Sequence, residues 1–183
     1  MTDFPRTART LNRRGWLASV ALGLTGLAQT VAAKPDASRS LAFRHLHTGE
    51  ELSVRYYHHG RYDARALSAI NRLLRDFRTG EVYPIAPALL DQLCVVHHLI
   101  GSDAPFEIIS AYRSPVTNAK LHRASSGVAS GSLHMQGKAI DVRLADTRTR
   151  RLRDVALELG AGGVGYYASS NFVHLDIGRR RHW

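Results

Sequence analysis

Cysteine is almost absent from this sequence of 183 residues, since Cys94 is the only one. No internal disulfide can form, so an ordinary hydrophobic core must stabilise the fold. Long apolar runs are missing as well: the stretch Leu17–Leu27, about ten residues, is too short to span the roughly 30 Å hydrocarbon core of a bilayer. Internal repeats and low-complexity tracts are also absent. These absences exclude a disulfide scaffold, a membrane-spanning helix and a repeat protein.

Acidic residues are scarce relative to basic ones, with 15 Asp and Glu against 25 Lys and Arg and a net charge of +10 at pH 7. A surface this basic attracts polyanions through long-range electrostatics. Because the N-terminus predicts export, anionic cell-wall polymers fit this charge better than nucleic acid, which we exclude as a partner.

The N-terminus is typical of a signal peptide over residues 1–33. Arg13 and Arg14 precede the short apolar run, and small residues follow it up to Ala33, where we expect cleavage. The arginine pair followed by Gly-Trp-Leu resembles a twin-arginine export signal, and an ordinary secretory signal is the alternative. Either signal predicts a periplasmic protein with a flexible lead over residues 34–40 and one catalytic domain over residues 41–183.

The order of the predicted elements indicates an α+β fold. Apolar residues at every second position predict a hairpin from Leu41–His47 and Leu52–Tyr56. Spacing and capping residues predict further elements: a helix from Asp63 towards Gly80 with Asp76 on its polar face, a helix from Pro87 to Ile100, a strand over Phe106–Ser110, a short helix over Val116–Arg123, a strand over Ala139–Leu144, a helix capped by Asp146, and strands over Gly163–Tyr167 and Phe172–Ile177.

Three side chains form a candidate metal site. His134 and Asp141 are seven residues apart with Gly137 between them, and His174 follows on a later strand. Zinc accepts nitrogen and oxygen ligands in a tetrahedron, and a catalytic zinc keeps one position for water. Spacing alone also fits a purely structural His and Asp. The setting favours a site, because small residues precede His134 and glycines flank the strand of His174.

Five segments together resemble a known family. They are Ser110-Ala-Tyr-Arg113-Ser, Ser132-Leu-His134, Gly137-Lys-Ala-Ile-Asp141, Gly162-Gly-Val-Gly-Tyr-Tyr167 and Phe172-Val-His174-Leu-Asp176. In this order they are similar to the zinc D-Ala-D-Ala carboxypeptidase-like peptidases that cut peptidoglycan cross-links, and in particular to the murein endopeptidase K branch. The resemblance runs from about Arg39 to Trp183. It implies a hedgehog-like fold in which a small antiparallel sheet, flanked by helices, carries the zinc site.

The resemblance also implies roles for individual residues. His134, Asp141 and His174 are the expected zinc ligands. Arg113 is expected to face the substrate, where a guanidinium holds a carboxylate or stabilises an oxyanion; a structural ion pair is its alternative. Ser132 either hydrogen-bonds the substrate or holds the loop.

The general base is the point at which this chain departs from the family. Carboxypeptidase-type relatives place a glutamate three residues before the last ligand, and that position is Asn171 here. We therefore expect Asp176 to act as the base, because it shares a strand face with His174. In the alternative assignment Asp176 is the third ligand and His174 is the base.

The sequence thus predicts a zinc-dependent murein endopeptidase that binds and hydrolyses peptidoglycan stem peptides as a monomer. The cross-link joins either two diaminopimelate residues or D-alanine to diaminopimelate. The alternative is a peptidoglycan-binding module that keeps the zinc-site fold without turnover, since the missing glutamate leaves catalysis open.

Overall fold

The structure is a computed structural model that describes residues 38–124 and 129–183. The predicted signal peptide and residues 34–37 of the predicted lead lie outside the described residues. The first strand begins at Arg39, so the last residues of that lead already belong to the sheet.

One mixed sheet carries the described part of the chain. Its strands are β1 Arg39–His45, β2 Glu51–His58, β3 Arg61–Tyr62, β4 Phe106–Ser110, β5 Ala139–Leu144, β6 Gly163–Tyr167, β7 Phe172–Asp176 and β8 Arg181–His182, in the order β3-β2-β1-β4-β5-β7-β6-β8. β1 pairs with β4 and β6 pairs with β8 in parallel, and the other pairings are antiparallel. The α+β class is confirmed, although the sheet is larger than expected and not wholly antiparallel.

Four α-helices accompany the sheet in the described residues: α1 Ala64–Leu73, α2 Pro87–Ile100, α3 Pro115–Ala124 and α4 Thr149–Leu159. The Asp63 side chain accepts hydrogen bonds from the N–H groups of Arg65 and Ala66 and so caps α1, as predicted. α2 has the predicted bounds, with Pro87 in its first turn and Gly101 in the left-handed conformation at its end. In the part of the chain that the structure describes, no helix has the length and apolarity needed to cross a membrane.

Two predicted helix ends are wrong for the same physical reason. α1 stops at Leu73, and the fully buried side chain of Asp76 does not lie on a polar helix face. Its carboxylate instead accepts hydrogen bonds from the N–H groups of Arg78 and Ser114. Likewise Asp146 does not cap α4, because its carboxylate accepts from the Ser102 hydroxyl. In both cases the carboxylate binds a serine distant in sequence instead of taking the predicted place on or at the end of a helix.

The register of the central strands positions the site. Asp141 on β5 lies opposite His174 on β7 and also opposite Ser110 at the end of β4. Directly opposite residues of an antiparallel pair have their Cβ atoms about 4.5–5.5 Å apart on the same face. The sheet pairing alone therefore brings Asp141 and His174 into contact.

Candidate metal centre

His134 reaches the sheet from a short 3-10 helix, Leu133–Gln136. The Ser132 hydroxyl accepts a hydrogen bond from the His134 N–H at the start of this helix, and Gly137 ends it with a φ of 62°. A Cβ at Gly137 would lie 2.1 Å from the Pro84 carbonyl oxygen, so only glycine fits this approach. The loop therefore holds His134 over β5.

Three donor atoms of this site face one another. Asp141 Oδ1 lies 2.8 Å from His174 Nδ1 and 3.3 Å from His134 Nε2. The two ring nitrogens are 3.2 Å apart, and all three side chains are buried. Tetrahedral zinc with bonds of about 2.0–2.1 Å separates neighbouring ligand atoms by about 3.3 Å. The residues and their spacing therefore fit a zinc ion.

The outer nitrogens of both histidines have acceptors. His134 Nδ1 donates to the Ala111 carbonyl oxygen at 2.6 Å, and His174 Nε2 lies 3.1 Å from Asp176 Oδ2. A hydrogen bond at one ring nitrogen fixes the tautomer that leaves the other nitrogen free to ligate. Both histidines are thus oriented with one nitrogen towards Asp141.

The carboxylate of Asp176, the expected base, has hydrogen-bond partners on three strands, β6, β7 and β8. This carboxylate is fully buried and does not line the cavity of the site. It pairs with the Arg181 guanidinium through both oxygens. It also accepts hydrogen bonds from the N–H groups of Gly163 and Gly178. This position does not fit a general base that reaches a water in the cavity. Nor does it fit the alternative of a third ligand, because His174 occupies that place.

Arg113 and Ser132 have structural partners and also line the cavity. The Arg113 guanidinium pairs with Asp141 Oδ2, the oxygen on the far side from the histidines, and its Nε donates to Ser110 Oγ at 2.9 Å. Arg113 thus orients a metal-binding carboxylate while part of its side chain stays accessible from the cavity.

The charge states suit metal binding. Burial lowers the pKa of His134, which keeps this imidazole neutral. Burial raises the pKa of Asp141, but its interactions with His134 and His174 outweigh that effect and hold the pKa well below the usual range. For His174, burial lowers the pKa and the hydrogen bonds to Asp141 and Asp176 raise it more. Asp141 is therefore an anionic ligand beside two imidazoles.

Comparison with known proteins decides the family. Residues 32–183 match a family model described as peptidoglycan L,D-endopeptidase MepK. The chain belongs to this peptidase family. It is 40% identical over 176 residues to the peptidoglycan L,D-endopeptidase MepK of Escherichia coli K12, covering 94% of this chain and 97% of that protein. It is 38% identical over 177 residues to the probable peptidoglycan L,D-endopeptidase MepK of Haemophilus influenzae, covering 94% and 95%.

Asn171, at the position of the glutamate of carboxypeptidase-type relatives, lies outside the cavity. It occupies the turn between β6 and β7 with a φ of 52°, and its side chain accepts a hydrogen bond from Thr149 at the start of α4. Among the described residues that line the cavity, Asp141 is the only carboxylate. The position three residues before His174 therefore holds no carboxylate and lies outside the cavity.

Sequence reasoning missed one side of the cavity, which has a volume of about 250 Å³. Phe172, Arg181 and Trp183 line it, together with Tyr167. The segment Arg181–His182 is too short to show strand periodicity, so its pairing with β6 gave no pattern to detect. The neighbouring His182 is exposed on β8 and does not line this cavity.

Proposed function

We propose that this protein is an exported, zinc-dependent endopeptidase that hydrolyses peptide cross-links of peptidoglycan in the periplasm. The observation that carries the proposal is the buried cluster of His134, Asp141 and His174, whose donor atoms meet at zinc-ligand spacing beside a cavity. Family membership and the names of the relatives support peptidoglycan as the substrate. Those names also favour the L,D cross-link, which joins two diaminopimelate residues, over the D-alanine cross-link.

The three side chains that would hold a zinc ion all line the cavity. A zinc ion held by them would supply the Lewis acidity that hydrolysis of an amide by water needs. Asp141 would contribute the single negative ligand, so a divalent ion held by it and two imidazoles would keep a positive charge overall. His134 and His174 cannot rotate away, because their outer nitrogens are tied to Ala111 and Asp176.

Arg113 and Ser132 hold the substrate in this proposal. The Arg113 guanidinium lies in the cavity wall beside Asp141, where it can hold a carboxylate or stabilise charge that develops on the scissile carbonyl oxygen. Ser132 shapes the loop through its hydrogen bond with the His134 N–H and presents the same wall to the substrate.

We assign Asp176 a positioning role instead of the base role. Its carboxylate accepts from His174 Nε2, and Arg181 holds the carboxylate in place. Carboxylates that hydrogen-bond a metal-binding histidine orient the ring and strengthen the ligand. Asp176 therefore acts on the reaction through His174.

The test is the metal content and activity of the full chain, purified without chelator. We expect about one zinc per chain and cleavage of purified cross-linked muropeptides. His134→Ala should lose both, because it removes a buried ligand, while the exposed His98→Ala should lose neither. Full activity of His134→Ala, with melting temperature unchanged, would contradict the site.

A peptidoglycan-binding module without turnover is the second candidate function. The absence of a second carboxylate among the described residues of the cavity wall favours it. Binding of muropeptides with no new products by chromatography, in protein loaded with zinc, would decide for this module and against the peptidase.

A further inference from the structure

Three aromatic side chains form one wall of the cavity, here called the aromatic wall: Tyr167, Phe172 and Trp183. The rings of Tyr167 and Phe172 stack with their centroids 4.5 Å apart across the β6–β7 pair. Trp183 Nε1 donates to the Tyr167 hydroxyl at 2.9 Å. The three rings are thus joined into a single surface.

The backbone fixes Trp183 in this wall. Its N–H donates to the Val164 carbonyl and its carbonyl accepts from the Tyr166 N–H, which extends the pairing of β8 with β6. Gly165 lies beneath the ring, and a Cβ there would come within 2.6 Å of it. Gly165 also lies opposite His174 in the β6–β7 pair. Because Gly165 has no side chain, the Trp183 indole can approach His174.

The indole contacts the site without being needed to fill the core. Its ring centroid lies 5.2 Å from that of His174, yet 49% of Trp183 is exposed. Its one polar group is already satisfied by Tyr167. The exposed part of the ring therefore offers apolar surface to a ligand in the cavity. Contact with water alone would not stabilise such a surface.

One cation, Arg181, lies over the Trp183 ring of the aromatic wall. The Arg181 guanidinium lies 5.0 Å from the Trp183 ring centroid and also lines the cavity. Because this guanidinium is paired with Asp176, the aromatic wall offers mainly apolar surface, which complements an aliphatic chain. Within the site, Trp183 of the aromatic wall contacts His174, whereas Arg113 pairs with Asp141.

We infer that the aromatic wall is a specificity subsite that binds the side chain of the residue on the acyl side of the scissile bond. This inference rests on the proposed function. The amine side is diaminopimelate in both types of cross-link. The acyl side is diaminopimelate in one, with a long aliphatic side chain ending in an amino and a carboxylate group, and D-alanine, with a methyl group, in the other. The aromatic wall selects the cross-link with diaminopimelate on the acyl side.

The experiment compares the two cross-linked muropeptide dimers on the full chain loaded with zinc. The dimer joined through two diaminopimelate residues serves as substrate, and the dimer joined through D-alanine serves as competing inhibitor. Trp183→Ala should lower kcat/KM for the first about tenfold and change the inhibition constant of the second less than about twofold, because the methyl group does not reach the aromatic wall. Trp183→Phe, which keeps an aromatic ring, should lose less.

Controls separate this role from structural damage. Tyr62→Ala removes an aromatic ring of similar exposure, 39%, on the far edge of the sheet and should change neither value. Zinc content and melting temperature of Trp183→Ala should match the wild type. An equal change for both dimers, or no change for either, would overturn the inference. If the wild type cleaves neither dimer, the proposed function itself fails.

Discussion

At the scale of single residues, Asp176 shows what strand spacing could predict and what it could not. The two-residue repeat of β7 correctly placed Asp176 on the same face as His174. It could not reveal Arg181 or the N–H groups of Gly163 and Gly178, which surround the carboxylate in the folded protein. Sequence spacing predicts the face of a strand on which a side chain lies. Whether that side chain is buried depends on residues from other elements.

Asp176→Asn should lower zinc affinity by about 10- to 100-fold, because the amide holds the His174 ring less firmly. Competition of the purified protein with a zinc-binding dye measures this change. Asp154→Asn is the matched control, since Asp154 pairs with Arg153 on the surface and has no contact with the site. An affinity within about twofold of wild type in Asp176→Asn would refute the positioning role.

His134, Asp141 and His174 themselves could be picked out from the sequence. Their candidacy rested on local features, namely the small residues before His134, Gly137, and strands flanked by glycine. The structure brings the three together because β5 and β7 pair in the register that opposes Asp141 and His174. Occupancy by zinc stays a prediction.

At the scale of elements, long regular segments were predictable and short or distant pairings were not. α2, β4, β5 and β6 have the bounds that periodicity and capping predicted. β3 and β8, each of two residues, carry no periodic pattern. The parallel pairing of β1 with β4 joins strands separated by two helices, and nothing local encodes it.

Hydrogen bonds to the Asp76 carboxylate connect the segment after α1 with the start of α3. Burial raises its pKa, but hydrogen bonds from Thr117 and Ser114 outweigh that effect and lower it. Asp76→Asn should therefore cost about 2–3 kcal/mol of unfolding free energy at pH 7, because bonds to a charged acceptor are lost. Urea denaturation in the presence of chelator measures the difference.

The lowered pKa of Asp76 also determines how the stability difference between wild type and Asp76→Asn depends on pH. A carboxylate whose folded pKa lies below its unfolded value stabilises above about pH 4 and loses this contribution as the pH falls through the folded pKa. The gap between wild type and Asp76→Asn should thus narrow from pH 7 to pH 3. The exposed Asp103→Asn should leave stability unchanged at both. A gap that widens in acid would contradict the assigned shift.

At the scale of the whole molecule, the site links parts of the chain that are far apart in sequence. His134 comes from a loop helix, Asp141 from β5 and His174 from β7, and Ala111 after β4 supports the first of them. A ligand that binds only when these elements are assembled stabilises the folded state by mass action.

Zinc should accordingly raise the melting temperature of the protein, with about 2.7 kcal/mol of added stability at a free concentration 100 times the dissociation constant. Calorimetry with zinc and with chelator measures the shift. His174→Ala should melt at the same temperature in both. A wild-type melting temperature that is the same with zinc and with chelator would argue against a metal that bridges these elements.

The indole of Trp183 also makes the protein its own optical reporter. The sequence holds only one other tryptophan, Trp16, in the predicted signal peptide. In a chain carrying Trp16→Phe, every photon of tryptophan emission would originate 5.2 Å from the imidazole of His174. Filling of the cavity by metal, muropeptide or inhibitor can then be followed by fluorescence in real time, without attaching a dye.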